Sequence, residues 1–191
     1  MPEYRRALVP GGTFFLTVVT QHRASFLCDE RARNALRRSI EQCRSAHPFD
    51  LEAIVLLPDH LHLMLKLPDD DPNFSVRVAS IKANFTRSWL TAGGIETSQS
   101  SSREQHGHRG VWQKRFWEHC VKDKPDWGEH LNYVHFNPVK HGLVTCPHLW
   151  PYSTFRKWVA RGVYPPDWLC ACNGRKVSPP KFDGFTGYEM E

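Results

Sequence analysis

Two histidines one residue apart, His60 and His62, interrupt an apolar run from Ile54 to Leu67. On a strand, successive side chains alternate between faces, so His60 and His62 project together and Leu61 projects away. Two imidazoles on one rigid face are the start of a metal site. Hydrogen-bonded histidines on a sheet face would give the same pattern, because His-x-His alone is a weak motif. Further along, Tyr133 and Asn137 are four apart in a helical stretch, which stands them on one face a turn apart. Asn137 offers a carbonyl oxygen as a third ligand. Two nitrogens and one amide oxygen form a harder donor set than zinc–thiolate, suited to Mg2+ or Mn2+ bound to a phosphate. Such an ion would polarise a scissile phosphate. A phenol with a pKa near ~10 becomes a nucleophile where a cation favours its charged form. Attack by Tyr133 would cut a strand and conserve the bond energy in a phosphotyrosine. On spacing alone, a packed tyrosine and an Asn closing a helix before Pro138 is the simpler reading.

The elements that must position these groups can be read from periodicity. Thr13 to Thr20 is rich in β-branched and aromatic residues and predicts a central strand after a Gly11-Gly12 turn. Asp29 is placed to cap a helix whose Ala32, Leu36, Ile40 and Cys43 recur at helical spacing. Its other faces carry Arg33, Arg37, Arg38 and Arg44, either a solvated surface or a track for a phosphate backbone. Phe49–Leu57 and His60–Leu67 predict two strands paired as a hairpin about Pro58-Asp59. Asn73 is placed to cap a second helix with Phe74, Val78, Ile81, Phe85 and Trp89 on one stripe. Residues 91–109 read as a mobile polar loop, on which His106 and His108 are solvated. Gly110 to Trp117 predicts a fourth strand and turn, with Trp112, Lys114, Arg115 and Phe116 interleaving aromatic and basic groups. These suit core packing and also base stacking with phosphate contacts. Asp123 or Lys124 would cap a third long helix, with Pro125 in its first turn and Asn137-Pro138 at or near its end. A short helix is expected between Ser153 and Arg161. The order is that of an α+β, ferredoxin-like antiparallel sheet with helices on one face, followed by a further helix and a C-terminal tail.

The chain has 191 residues, 40% of them hydrophobic, with seven tryptophans. This suits one globular domain over 1–168 and a loose tail over 169–191. A net charge of +5 and a pI near 9.0 suit a polyanionic partner. No apolar run is long enough to span a bilayer, and no secretory core follows the N-terminus, so an intracellular protein is expected. The six cysteines lack the spacing of a disulfide scaffold. Cys146, His148, Cys170 and Cys172 could supply four zinc ligands, but a zinc ribbon has two residues between its paired cysteines, so the spacing does not select zinc. A metal-dependent hydrolase of the His-x-His-x-Asp-His type would need Asp and His where Met64 and Leu65 stand.

Several motifs agree in order. Asp59-His60-Leu61-His62 resembles the paired-histidine motif of HUH transposases with a single catalytic tyrosine. Gly11-Gly12-Thr13-Phe14-Phe15, the stretch from Trp112 to His119, that from Tyr133 to Gly142, and that from Arg161 to Trp168 narrow the resemblance to the REP-associated tyrosine transposases of bacteria. The resemblance implies a cytoplasmic, nucleoid-associated single-strand DNA endonuclease and strand transferase. Its substrate would be REP sequences, repetitive palindromes that fold as hairpins. By carry-over, Tyr133 is the nucleophile, His60, His62 and Asn137 are metal ligands, and Mg2+ or Mn2+ is the ion. Arg5, Arg6, Thr13, Phe14, Arg33, Arg37, Lys114, Arg115 and Lys140 are the candidate DNA contacts. A protein that binds the hairpin without cutting is the alternative, and monomer and homodimer are both open.

Overall fold

The Thr13–Val19 stretch folds as β1, because alternating side chains of Phe and β-branched residues fill both faces of a sheet. The computed structural model describes residues 8–99, 101, 105, 109–172, 174 and 177–180. The other strands and α-helices among the described residues are α1 (Glu30–Ala46), β2 (Asp50–Leu56), β3 (His60–Lys66), α2 (Phe74–Thr91), β4 (Trp117–Cys120), α3 (Lys124–Lys140) and α4 (Phe155–Ala160), with 3-10 turns at Gln21–Arg23 and Pro147–Leu149. Contacts divide the chain into two compact units. One is Met1–Glu52 with Leu56–Cys120; the other is Ala53–Val55 with Val121–Glu191. No helix among the described residues is long and apolar enough to cross a membrane.

The sheet has the order β2-β3-β1-β4. With the chain order β-α-β-β-α-β, this is the expected ferredoxin-like topology. Strand β1 pairs antiparallel with β3, Thr17 opposite His62 and Val19 opposite His60, and antiparallel with β4, Phe15 opposite His119. One face of β1 and β3, with Phe14, Leu16, Val18, Leu61, Leu63 and Leu65, is buried. Phe14 stacks on Phe74 of α2 at 4.2 Å, so this is the face the helices cover. Helices α1 and α2 pack on each other. The expected stripe on α2, from Phe74 to Trp89, is buried throughout, and Phe26 stacks on Trp89 at 4.8 Å.

Asp29 caps α1, accepting a hydrogen bond from Arg31 N at 2.8 Å. Asn73 does not cap α2 with its side chain: its Oδ1 takes the Ser75 hydroxyl instead, and its N–H is given to Asp71. Arg77 on α2 is 1% exposed. Its guanidinium donates to Asp71 Oδ2 and Pro48 O at 2.6 Å each and to Asn73 O at 3.0 Å, which is how a buried charge is tolerated here.

The fourth strand begins later than its sequence suggests. Trp112 makes only an isolated bridge to Thr20, and the strand proper is Trp117–Cys120. From Thr17 to Thr20 is three steps, whereas from Trp112 to Trp117 is five, so two extra residues bulge from the ladder. Lys114 and Arg115 are the exposed residues of this bulge. The ammonium of Lys82 on α2 donates to the carbonyls of Gln113 (2.7 Å) and Lys114 (3.3 Å) and pins it. The described ends of the 91–109 stretch are also tied down: Trp89 Nε1 donates to Ile95 O, Thr97 N to Gly110 O, and Arg109 pairs with Glu96. His106 and His108 lie outside the described residues.

In the second unit, Asp123 caps α3 by accepting from Asp126 N at 2.9 Å, with Pro125 in the first turn. Pro138 is inside α3 but in its last turn, and the helix runs to Lys140. Gly142, with φ of +67°, lets the chain turn out of the helix. The expected short helix is α4, and Thr154, preceding it, bonds Ile54 N through its hydroxyl at 3.0 Å. The Trp- and Pro-rich segment packs as rings: Phe155 stacks on Tyr164 at 5.3 Å, and Trp168 lies 4.5 Å from Tyr164.

Candidate active site

The tight turn between β2 and β3 sets the histidines. Leu57 N donates to His60 O across it, and the carbonyls of Pro58 and Asp59 accept from Leu27 N and Thr20 N, each at 2.9 Å. Asp59 is therefore fixed beside His60. Its Oδ1 accepts the Nδ1–H of His60 at 2.7 Å, and its Oδ2 accepts from Arg23 at 2.9 Å. Burial alone would raise the Asp59 carboxyl, but His60 and Arg23 outweigh it through hydrogen bonds and charge, holding it down to about 2. An ionised carboxylate can only accept, so the proton of neutral His60 sits on Nδ1 and its lone pair on Nε2. His62 bonds through Nδ1 to Thr17 Oγ1 at 2.9 Å, on the facing strand. The rings are 5.0 Å apart and nearly perpendicular at 83°. Both are buried, and His62 also stacks on Phe15 at 5.4 Å. This is the same-face projection that His-x-His predicts. A carboxylate on the far nitrogen of a histidine is the usual support of a metal-ligating imidazole.

In the second unit, helix α3 carries Tyr133, Asn137 and Lys140 at i, i+4 and i+7, which is one face over two turns. Tyr133 is 2% exposed. Lys140 donates to its hydroxyl at 2.9 Å, with the ammonium 4.9 Å from the ring centroid. Asn137 is fully buried, and neither its amide oxygen nor its amide nitrogen makes a hydrogen bond among the described residues. An amide in that state is costly, and a cation taking the oxygen would offset the cost. Within the first unit, His60 and His62 thus present two buried imidazoles, and within the second unit Asn137 presents a buried amide oxygen; each is a donor type that a divalent ion accepts.

Behind this helix face runs a buried polar chain. Tyr164 donates to Asn132 Oδ1 at 3.0 Å and lies 3.3 Å from His135 Nδ1; His135 Nε2 lies 3.0 Å from Thr154 Oγ1. Since Tyr164 spends its proton on Asn132, His135 Nδ1–H donates to Tyr164 and Nε2 accepts from Thr154. Burial lowers His135 to about 3, against a smaller opposing effect of the Leu131 backbone, and burial raises Tyr164.

The expected DNA contacts divide. Arg37, Lys114 and Arg115 are exposed and Thr13 is half-buried at the start of β1. Arg33 is half-buried and donates to Cys28 O. Phe14 is fully buried against Phe74 and belongs to the core, which leaves no ring face for a base. Lys140 is bound to Tyr133 rather than standing apart as a phosphate contact. Arg5 and Arg6 lie outside the described residues. Lys114 also lines a cleft of about 790 Å3 between α2 and residues 109–116, with Lys82, Arg87, Arg109, Trp112 and Phe116. The supports missed from sequence are Thr17, Arg23 and Asp59. Asp59 precedes His60 directly, but nothing local shows that its side chain turns back onto the ring.

No family model matches the chain. It is 39% identical over 168 residues to the REP-associated tyrosine transposase of Escherichia coli K12, covering 88% of this chain and 91% of that one. It is 41% identical over 170 residues to a Haemophilus influenzae protein assigned provisionally to the same family, covering 88% and 93%. A solved structure of a REP-associated tyrosine transposase bound to a REP hairpin superposes with a TM-score of 0.72 at 36% identity, covering 95% of this chain and 98% of that one.

Proposed function

The chain belongs to the REP-associated tyrosine transposases, enzymes that act on DNA, and from that premise we propose that it nicks and rejoins single-stranded DNA at REP hairpins through a 5′-phosphotyrosine on Tyr133. The observation that carries this reading is the helix face on which the Tyr133 hydroxyl is held by an ammonium one turn beyond the buried amide of Asn137, which makes no hydrogen bond among the described residues. A solved relative, bound to a REP hairpin, supports the substrate.

In the proposed reaction Tyr133 Oη attacks a backbone phosphorus. The bond from phosphorus to the 3′ oxygen breaks as the bond to Oη forms. The phenolic proton passes to water, and the departing 3′ oxygen takes one up. Lys140 stabilises negative charge on Oη before attack and holds the ring in place. His60, His62 and Asn137 would hold Mg2+ or Mn2+, with Asp59 and Thr17 fixing the two imidazoles. That ion, when bound, supplies Lewis-acid polarisation of the scissile phosphate. Because the phosphotyrosine retains the energy of the broken bond, attack by a 3′ hydroxyl on it reverses the chemistry and joins strands. Lys114, Arg115 and Arg37 would meet phosphates, and the basic, aromatic cleft beside α2 has the composition of a single-strand track.

The test is a denaturing gel of the full chain with a labelled single-stranded REP hairpin, in Mn2+ or EDTA. The reading expects a slow-moving adduct that needs metal and is absent with Tyr133→Phe, while that variant still shifts the hairpin on a native gel. An adduct that persists in Tyr133→Phe would show another nucleophile. A hairpin-specific shift with no adduct under any metal would make the protein a binder that does not cut.

A further inference from the structure

The four residues whose sequence spacing did not select zinc are brought together by the fold. One ligand atom from each of Cys146, His148, Cys170 and Cys172 lies within 4.8 Å of all the others. We propose that these four side chains form a structural zinc site in the second unit, unrelated to the ion proposed for phosphate chemistry.

The chemistry of the donors is specific. Three thiols and one imidazole form a closed tetrahedral set of the kind that holds structural zinc. Soft thiolates select zinc over magnesium or manganese. Cys146, Cys170 and Cys172 are free thiols, and Cys146 Sγ lies beside Cys170 Sγ. Cys146 is fully buried, His148 and Cys170 are half-buried, and Cys172 is exposed at the rim. His148 supplies an independent sign. Its Nδ1 is buried and has no hydrogen-bond partner among the described residues. A ring nitrogen left that way is costly unless something accepts its lone pair.

The backbone explains why pairs separated by one residue, not two, can meet. Cys146 is extended, with φ −144° and ψ 141°, and Pro147 then starts a 3-10 turn that carries His148. An extended residue followed by a tight turn brings i and i+2 to one side. On the second segment, Leu169 takes a left-handed φ of 49°, rare for a branched side chain, immediately before Cys170. Cys170 N donates to Asp167 O, and Gly174 N donates to Ala171 O after Cys172. Binding would release three thiol protons to solvent, leaving a site of net charge −1 with a neutral imidazole. The ion would close the segment from Cys146 to Cys172, which carries α4, Tyr164 and Trp168. Tyr164 is the residue bonded to Asn132 and His135 of α3. The zinc would thus anchor the strap that braces the tyrosine helix.

The experiment uses the full chain, purified under reduction without chelator. Its zinc is measured by elemental mass spectrometry, and Co2+ is then exchanged in for absorption spectroscopy. The expected result is one zinc per chain, thiolate-to-cobalt charge-transfer absorption, and a fall in the thermal midpoint when a strong chelator strips the metal. The Cys146→Ser/Cys170→Ser double variant should lose the zinc, and Cys28→Ser should keep it. Wild-type protein with no zinc and no charge-transfer band overturns the proposal. So does a Cys146–Cys170 disulfide in the intact mass of freshly isolated chain. Both wild-type readings stand whether or not the double variant folds.

Discussion

Replacing Lys140 by Met would remove the ammonium while keeping an unbranched stem able to lie along the Tyr133 ring. The charge stands 2.9 Å from the phenolic oxygen. Coulomb's law at that distance gives ~1.4 kcal/mol at the permittivity of water and ~6 kcal/mol at an effective value of 20. Lys140 is exposed, so screening favours the lower end. Hydrogen bonds to charged groups in proteins fall at about 1.5–3 kcal/mol. If that stabilisation is realised as charge develops on Oη, its loss slows strand cleavage about tenfold to a hundredfold. The assay is the single-turnover rate of covalent adduct formation on a labelled REP hairpin at saturating Mn2+. Hairpin affinity is measured in parallel by fluorescence anisotropy. Lys140→Met should lower the rate while leaving affinity within a few-fold, and Lys140→Arg should recover part of it. The deficit should narrow as pH rises, because hydroxide then does what the ammonium did. Wild-type rates in Lys140→Met, or a loss of affinity equal to the loss of rate, would refute the assignment and return Lys140 to a phosphate contact.

Three further outcomes are expected. Asp59→Ala should weaken Mn2+ binding about 10–100-fold, since His60 loses the carboxylate that orients it; unchanged affinity by titration calorimetry would remove Asp59 from the site. Arg77→Ala should cost about 3 kcal/mol in urea unfolding, through a cavity and two orphaned carbonyls, and a loss under about 1 kcal/mol would mean that water replaces the guanidinium easily. His135, neutral when folded down to about 3 but protonated below about 6.5 when unfolded, makes the unfolded state bind more protons between those values. Stability is therefore lost as pH falls, by about 2 kcal/mol between pH 7 and pH 5 from this residue. A His135→Asn variant with the same pH slope would contradict that origin.

What the sequence revealed was mostly local. The cap at Asp29, the stripe on α2, the Pro125 start of α3 and the common face of His60 and His62 depend on residues within a turn or a strand of each other, and all are observed. What stayed hidden depends on distant partners. The two-residue bulge before β4 is defined only by the register of β1, so Trp112 reads as strand when it is a single bridge. The burial of Arg77 is not legible locally, since one of its acceptors, Pro48 O, lies 29 residues away. Lys140 was visible two turns from Tyr133, but its charge suggested DNA before its position suggested the phenol. The Cys146 and Cys170 pairs are 24 residues apart, and spacing rules drawn from ribbons do not anticipate an extended residue leading into a 3-10 turn.

The bulge at Lys114 and Arg115 bears on how the protein behaves at high concentration. Strand β4 lies at one margin of the sheet and is only four residues long. Two cations bulged ahead of it, fastened by Lys82, break the ladder where a neighbouring chain would have to add its backbone. At the other margin, β2, Val55 already pairs with Ser153, Ile54 N donates to the Thr154 hydroxyl, and Ile54 O accepts from Thr154 N. A sheet of Phe, Val and Leu strands thus offers little purchase for stacking into fibres, and Lys114→Ile with Arg115→Val should raise light scattering as the protein is concentrated.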